Sequence, residues 1–273
     1  MMKMNRLHIV LTLIALLVFS ACSEQIELEL NTGNTRLVVE GQITDRPGSY
    51  GVRLSLSTSY FYNEAPPAVE DAVVSLSDGS QQWLLSQDSP GYYALPEGFA
   101  GEAGHTYHLS IAWQGETYEA SSQMLPAPMV DSLSLLPHPA LPGRDFLMVH
   151  FQDPPGTQDF YVYYVYLNGV LLTDSINEVL SSDDQGLNGQ AISTPVYLLE
   201  AGDEAPVAGD VLRVEQYRVS EAYYQFLIAL RRNQGTTGGP FAGPPANVPG
   251  NLSKGALGFF LAASVGEAEM VVE

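Results

Sequence analysis

The sequence predicts a mainly β protein of two domains, and three observations predict it. Apolar residues recur at every second position through most of the chain, and turn-forming pairs punctuate the runs. Beyond the N-terminus, only residues 220–234 carry the i, i+3, i+4, i+7 pattern of a helix. Pro126-Ala127-Pro128 then interrupts the alternation, and prolines remove donors and disfavour continued regular structure. The expectation is an immunoglobulin-like or transthyretin-like β-sandwich over residues 36–126. A β-rich domain carrying one α-helix would follow over residues 127–273.

The chain opens with Lys3 and Arg6, then eleven mostly apolar residues from Ile9 to Phe19, then Ser20-Ala21-Cys22. The apolar run is too short to span a bilayer, which takes roughly 20 residues. A basic start, a short apolar run and small residues before a cut site form a secretory signal peptide, here residues 1–21. Ser20 and Ala21 directly before Cys22 are similar to a bacterial lipobox, with Phe19 where Leu is usual. The expectation is cleavage before Cys22, acylation of that residue, and an outer-membrane location held by lipid alone. Cys22 is the only cysteine, so an intrachain disulfide or a thiolate metal site is impossible.

Cleavage would leave 252 of the 273 residues, with nine basic against 31 acidic side chains and a net charge of −22. That surface repels phosphate backbones, which argues against nucleic-acid binding. Residues 22–35 are polar and acidic and serve as a tether.

Within the first domain, Leu37, Val39, Gly41 and Ile43 alternate with polar positions, and Asp45-Arg46-Pro47-Gly48 supplies a turn. Val52–Leu56 and Ala72–Leu76 alternate likewise, and Asp78-Gly79 closes a hairpin onto Trp83 and Leu85. Tyr107–Trp113 turns through Gln114-Gly115-Glu116 into Tyr118–Ser122. In the second domain, strands are expected at Asp131–Leu136, Phe146–Phe151 and Phe160–Leu167. The last of these is apolar or aromatic on both faces. Asn168-Gly169 is a hairpin signal into Val170–Thr173, whereas Ser181–Gly189 reads as a polar loop. Val196–Leu199 and Val211–Val219 precede the helix. That helix has Ser220 as its cap, Glu221 at the positive end, Arg231 and Arg232 at the negative end, and Gly235 to end it. Thr236–Gly250 is too rich in Gly and Pro for regular structure, and Gly255–Val265 and Glu269–Val272 are closing strands.

Several of these segments together resemble one family. They are VVEGQITD at 38–45, GHTYHLSIAWQGETYEA at 104–120, YYQFLIALRRNQ at 223–234, and GPFAGPPANVPGNLSKGALGFFLAAS at 239–264. With the lipobox, they are similar to the Bacteroidota lipoproteins grouped as DUF4249, a family of unknown function. The resemblance implies an outer-membrane lipoprotein, often encoded near TonB-dependent receptors. It implies no catalytic residues.

Candidate chemistry is sparse. His105 and His108, three apart in a strand, point to opposite faces and cannot share a metal. His138 and His150 lack partners at ligand spacing. Asp153 and Asp159 are candidate paired acids, yet Asp beside Pro and Gly is usual turn chemistry. Asp183–Gly189 lacks the residue order of a calcium loop and reads as a solvated turn. No nucleophile elbow, dinucleotide fingerprint or phosphate loop occurs. Tyr60, Phe61 and Tyr62, ahead of a Pro-rich loop, and Phe241 in the Gly/Pro stretch are candidate ligand or partner anchors. The expectation is a non-enzymatic accessory component of an envelope complex, with no cofactor or metal, whose partner is an outer-membrane receptor protein. The alternatives are an adhesin for glycan or peptide using Tyr60, Phe61 and Tyr62, and a hydrolase of unknown type.

Overall fold

The computed structural model describes residues 35–58, 65–199, 205–235 and 248–273. Thr35–Glu273 forms one compact unit. Among the described residues the chain is mainly β, in three sheets with one α-helix.

The largest sheet has nine strands. Its centre is the pairing of the first strand with the last. β1 (Leu37–Thr44) runs parallel to β16 (Leu257–Val271), with Val39 opposite Gly258 and Gly41 opposite Phe260. β2 (Gly51–Leu56), β6 (Tyr92–Ala94) and β5 (Ser86–Ser89) extend the sheet beyond β1. On the other side of β16 come β15 (Val211–Val219) and β11 (Phe160–Leu167). The short strands β12 (Val170–Leu171) and β13 (Leu180–Asp183) pair with β11. A second sheet orders as β4 (Gln82–Leu84), β3 (Val73–Ser77), β7 (Thr106–Trp113) and β8 (Glu116–Gln123). The third orders as β14 (Ala191–Leu198), β10 (Asp145–Gln152) and β9 (Val130–Pro137).

The register shows how these layers stack. Side chains opposite one another across paired strands share a face. Leu54, Val39, Phe260 and Ala262 therefore lie on the same face as Leu212, Val214, Tyr161 and Tyr163. One part of that face packs against the second sheet in a core with Leu76, Tyr107, Leu109 and Ile111. Another part packs against the third sheet in a core with Leu147, Val149 and Phe151. The opposite face holds Phe160, Val162, Phe259, Leu261 and Val265 under helix α1 (Glu221–Gly235). The two small sheets thus share one face of the large sheet, and α1 covers part of the other.

Local chemistry follows the sequence closely. Asn168 and Gly169 both take positive φ, 50° and 82°, as a tight hairpin turn requires. Ser220 caps α1, its Oγ accepting from Tyr223 N at 3.3 Å. The Pro126–Pro128 stretch falls where the chain passes from β8 to β9, between two cores, while the large sheet draws strands from both sides of it. Three expectations are revised. Ser181–Asp183 is not loop but lies in β13, paired to Phe160–Val162. Val196–Leu198 belongs to a longer strand that begins at Ala191, and Leu199 lies just past its end. The two closing strands are one, Leu257–Val271, because Gly266 stays extended and lets the Pro128 carbonyl approach where a Cβ would collide.

Where β15 does not flank β16, side chains stand in for a strand. Asn251 accepts from Phe260 N at 2.9 Å and donates to Phe260 O at 2.8 Å, and Ser122 Oγ accepts from Ala262 N at 2.9 Å. Gly258 takes φ +95°, and a side chain there would run into the Val39 carbonyl oxygen. Gly258→Ala should therefore destabilise the protein by about 2–3 kcal/mol, lowering Tm by roughly 4–12 °C for a unit of this size. In thermal denaturation the whole transition should shift, because β16 contributes to all three layers.

Candidate functional site

Two places on the fold have functional chemistry. The first is a group of three buried acids, of which the sequence reading paired Asp153 with Asp159 and left out Asp184. Asp153 follows β10, Asp159 precedes β11, and Asp184 follows β13. The three are 0%, 2% and 1% exposed, and each offers an oxygen within 4.8 Å of the others. They converge because their two turns are stitched together. Asp153 N donates to Gln190 O at 3.0 Å, and Gly189 N donates to Asp153 Oδ2 at 2.9 Å. Asp184 N donates to Asp159 O at 3.2 Å, and Asp159 N donates back to Asp184 Oδ1 at 3.0 Å. Asn188 accepts from Gly156 N at 2.8 Å and donates to Thr157 O. Gly189, at φ +71°, packs so closely on Pro155 that a Cβ would touch its ring.

The buried charges are unequal. Arg218 pairs with Asp159 Oδ1 and donates to Thr157 Oγ1 at 3.2 Å. Its other terminal nitrogen donates to Pro126 O at 2.8 Å, tying the stretch between β8 and β9 to this site. Tyr161 donates to Asp153 Oδ1 at 2.6 Å. That leaves three carboxylates against one guanidinium. Asp159 Oδ2 and Asp184 Oδ2 are both buried with no hydrogen-bond partner. Burial pushes the Asp184 carboxyl above its usual range. The hydrogen bond from Asp159 N opposes this, while the charges of Asp153 and Asp159 and a contact with the Asp153 carboxyl add to it. Burial, followed by the bond to Asp153, raises the Tyr161 phenol and keeps it protonated as a donor.

The second place is an apolar groove of about 690 Å³ beside α1. Its floor is the outer face of β1 and β16, with Val38, Gln42, Phe259 and Leu261, and its wall is Phe226 and Leu230 of α1. Glu40, exposed, lies on the same face of β1 between Val38 and Gln42, opposite Phe259. Tyr223 packs edge-on against Phe259 at 5.1 Å, and Phe226 lies 5.2 Å from the same ring. Arg231 fixes the far end of the helix, donating to Ile176 O at 3.0 Å, to Ser181 Oγ at 3.0 Å and to Val179 O.

The structure separates the sequence candidates into groups. Cys22, Tyr60, Phe61, Tyr62 and Phe241 lie outside the described residues. Asp153 and Asp159 do come together, and Asp184 joins them, so at Asp184 the solvated-turn reading is corrected: the side chain is buried. His150 holds three strands together, with Ser134 Oγ at 2.7 Å and Ser193 Oγ at 2.8 Å. His105 sits near Asp78 and Glu102, and His138 packs on Phe146 at 4.8 Å. Arg218 and Asp184 were missed as partners. Their only sequence signal was a charged residue within each of two strand-and-turn segments.

A family model described as "Domain of unknown function (DUF4249)" matches residues 23–269. No curated protein matches. Among solved structures, one titled "Cytokine receptor complex - Crystal form 1A" is 12% identical. The alignment covers 69% of this chain and 86% of that one, with a TM-score of 0.24, too low to carry any argument. Among the described residues no helix is long and apolar enough to cross a membrane.

Removing the one cation of the buried acid group leaves three acids in a dry setting. Arg218→Met should cost about 3–5 kcal/mol, as breaking a buried pair from one side does. Urea denaturation checks this, and a loss under 1 kcal/mol, roughly the worth of an exposed pair, would mean that water reaches the acids freely.

Proposed function

The chain belongs to the DUF4249 family, whose description assigns no activity, and from that premise we propose that it is a lipid-anchored binding protein of the bacterial outer membrane. In this reading Cys22 carries the acyl chains, and residues 36–126, completed by β16 from the far end of the chain, form an immunoglobulin-like sandwich. The body serves as an accessory in an envelope complex with a TonB-dependent transporter. The basic start, short apolar run and Ser20-Ala21-Cys22 support the anchor. A family match that begins directly after Cys22 is consistent with it.

The observation that carries the binding reading is the groove beside α1. Its lining is mostly apolar, as in binding clefts, with Glu40 and Gln42 as the polar groups of its floor. The exposed Glu40 and the net charge of −20 on the chain favour a partner segment with apolar anchors flanked by Lys or Arg. An envelope protein displaying such a segment is the occupant this chemistry selects.

Two measurements test the reading. Cys22→Ser should abolish palmitate labelling and release the protein from the membrane fraction. Val38→Glu places a charge on the groove floor at a half-buried position. It should reduce recovery of a crosslinked outer-membrane partner at least about tenfold, with Tm little changed. Equal recovery from both proteins, or recovery of no partner, would rule out the groove as the binding surface.

A further inference from the structure

The buried acids pose an electrostatic problem that the chain does not solve by itself. Three carboxylates and one guanidinium leave a deficit of two positive charges, all within a few ångströms and nearly inaccessible to water. Isolated buried charge is among the costliest features a fold can hold. Two oxygens, Asp159 Oδ2 and Asp184 Oδ2, have no donor, while the remaining carboxylate oxygens are held by Tyr161, Gly189 N, Arg218 and Asp159 N.

We infer that Asp153, Asp159 and Asp184 bind one divalent cation of the hard, oxygen-seeking class, calcium fitting best. Charge is the first reason, since a dication cancels the deficit of two. Spacing is the second. Opposed oxygens on a calcium ion lie about 4.8 Å apart at its usual bond length of about 2.4 Å, and all three carboxylates meet within that span. Mg²⁺ demands a near-ideal octahedron and keeps several of its waters, so a dry set of three carboxylates suits calcium better. The orphan oxygens are the third reason: they lack donors and have lone pairs available to a metal. Residues 155–158 and 185–188, in the turns that carry the acids, are exposed.

The sequence departs from the helix–loop–helix calcium motif because the ligands come from two turns of a sheet. A cation here would hold the β10–β11 turn against the one after β13. Arg218, bonded to Asp159 and to Pro126 O, would connect that joint to the passage from β8 to β9. Asp159 keeps its guanidinium partner, so the ion would take its free oxygen.

Terbium(III) tests this, because it replaces calcium on oxygen ligands and emits when a nearby tyrosine absorbs. Tyr161, bonded to Asp153, is placed to sensitise it. The full chain, solubilised in detergent and stripped with EDTA, should show tyrosine-excited terbium emission that excess Ca²⁺ quenches. Equilibrium dialysis with ⁴⁵Ca²⁺ should give one ion per chain. Asp184→Asn keeps the shape and removes one charge, and it should weaken Ca²⁺ binding at least about tenfold without loss of the folded state. If that variant does not fold, the wild-type dialysis still decides. Failure of the wild type to bind calcium would overturn the inference, with a proton on Asp184 then filling the gap. Binding of Mg²⁺ in preference to Ca²⁺ would overturn it, as would undiminished binding in a folded Asp184→Asn protein. Loss of the groove's partner would leave this result untouched.

Discussion

Everything in this fold is hung on one strand whose two faces are both buried. Phe260 and Ala262 of β16 enter the core under the four-stranded sheet, while Phe259, Leu261, Ala263 and Val265 enter the core under α1. Its end at Met270, with Val272 just beyond the strand, reaches the core under the three-stranded sheet. The strand can serve all three because its neighbours change along its length: β1 runs parallel to 257–263 and β15 antiparallel to 264–271. Parallel pairing of the first strand with the last is a non-local contact that carries a high loop-closure entropy. Once formed, it closes the chain on itself, so neither half completes its sheet alone.

That arrangement creates a seam. The two small sheets share one face of the large sheet, and between their cores stand Gln216, Arg218, Ser264 and Gly266 rather than more Leu or Val. The passage from β8 to β9 crosses over this strip, with the Pro128 carbonyl close above Gly266 and the Pro126 carbonyl accepting from Arg218. A polar strip under a crossing segment fits the need of buried backbone carbonyls for donors. The side chains of Gln216 and Ser264 have no protein partner there. Gly266 is what lets the backbone pass, and this explains a glycine inside a long strand better than a break in the strand does.

How much of this was legible in sequence depends on range. Strands written in alternation, such as Leu37–Ile43 and Tyr107–Trp113, were readable because period-two burial is a local property. The helix was readable from its cap and its face, and the hairpin at Asn168-Gly169 from its turn chemistry. The order of strands was not, because β1 and β16 lie at opposite ends of the chain and nothing local in either names the other. The acid group was half visible. Asp153 and Asp159 stood out as a pair across a Pro-Pro-Gly turn, and turn chemistry explained them well enough locally. What removed them from solvent was Asp184, 25 residues beyond Asp159, delivered by a β13 that looked like loop. The strand was hidden because Ser181-Ser182-Asp183 is polar and pairs along the edge of β11, where burial does not require apolar residues.

The groove and the buried acids are built on one continuous set of bonds. Arg218 of the acid group is two residues before Ser220, the cap of α1, so the helix begins where the acids are held. At the other end of α1, Arg231 grips Ile176 O, Val179 O and Ser181 Oγ, on the segment that leads through β13 to Asp184. The helix is therefore clamped at both ends to the elements that carry Asp159 and Asp184. A helix covering only part of a sheet would otherwise rest on apolar contact alone, which fixes no orientation. With its start capped by Ser220 and its far end held by Arg231, the helix has a defined orientation beside β1. A preformed wall reduces what a partner must order on binding.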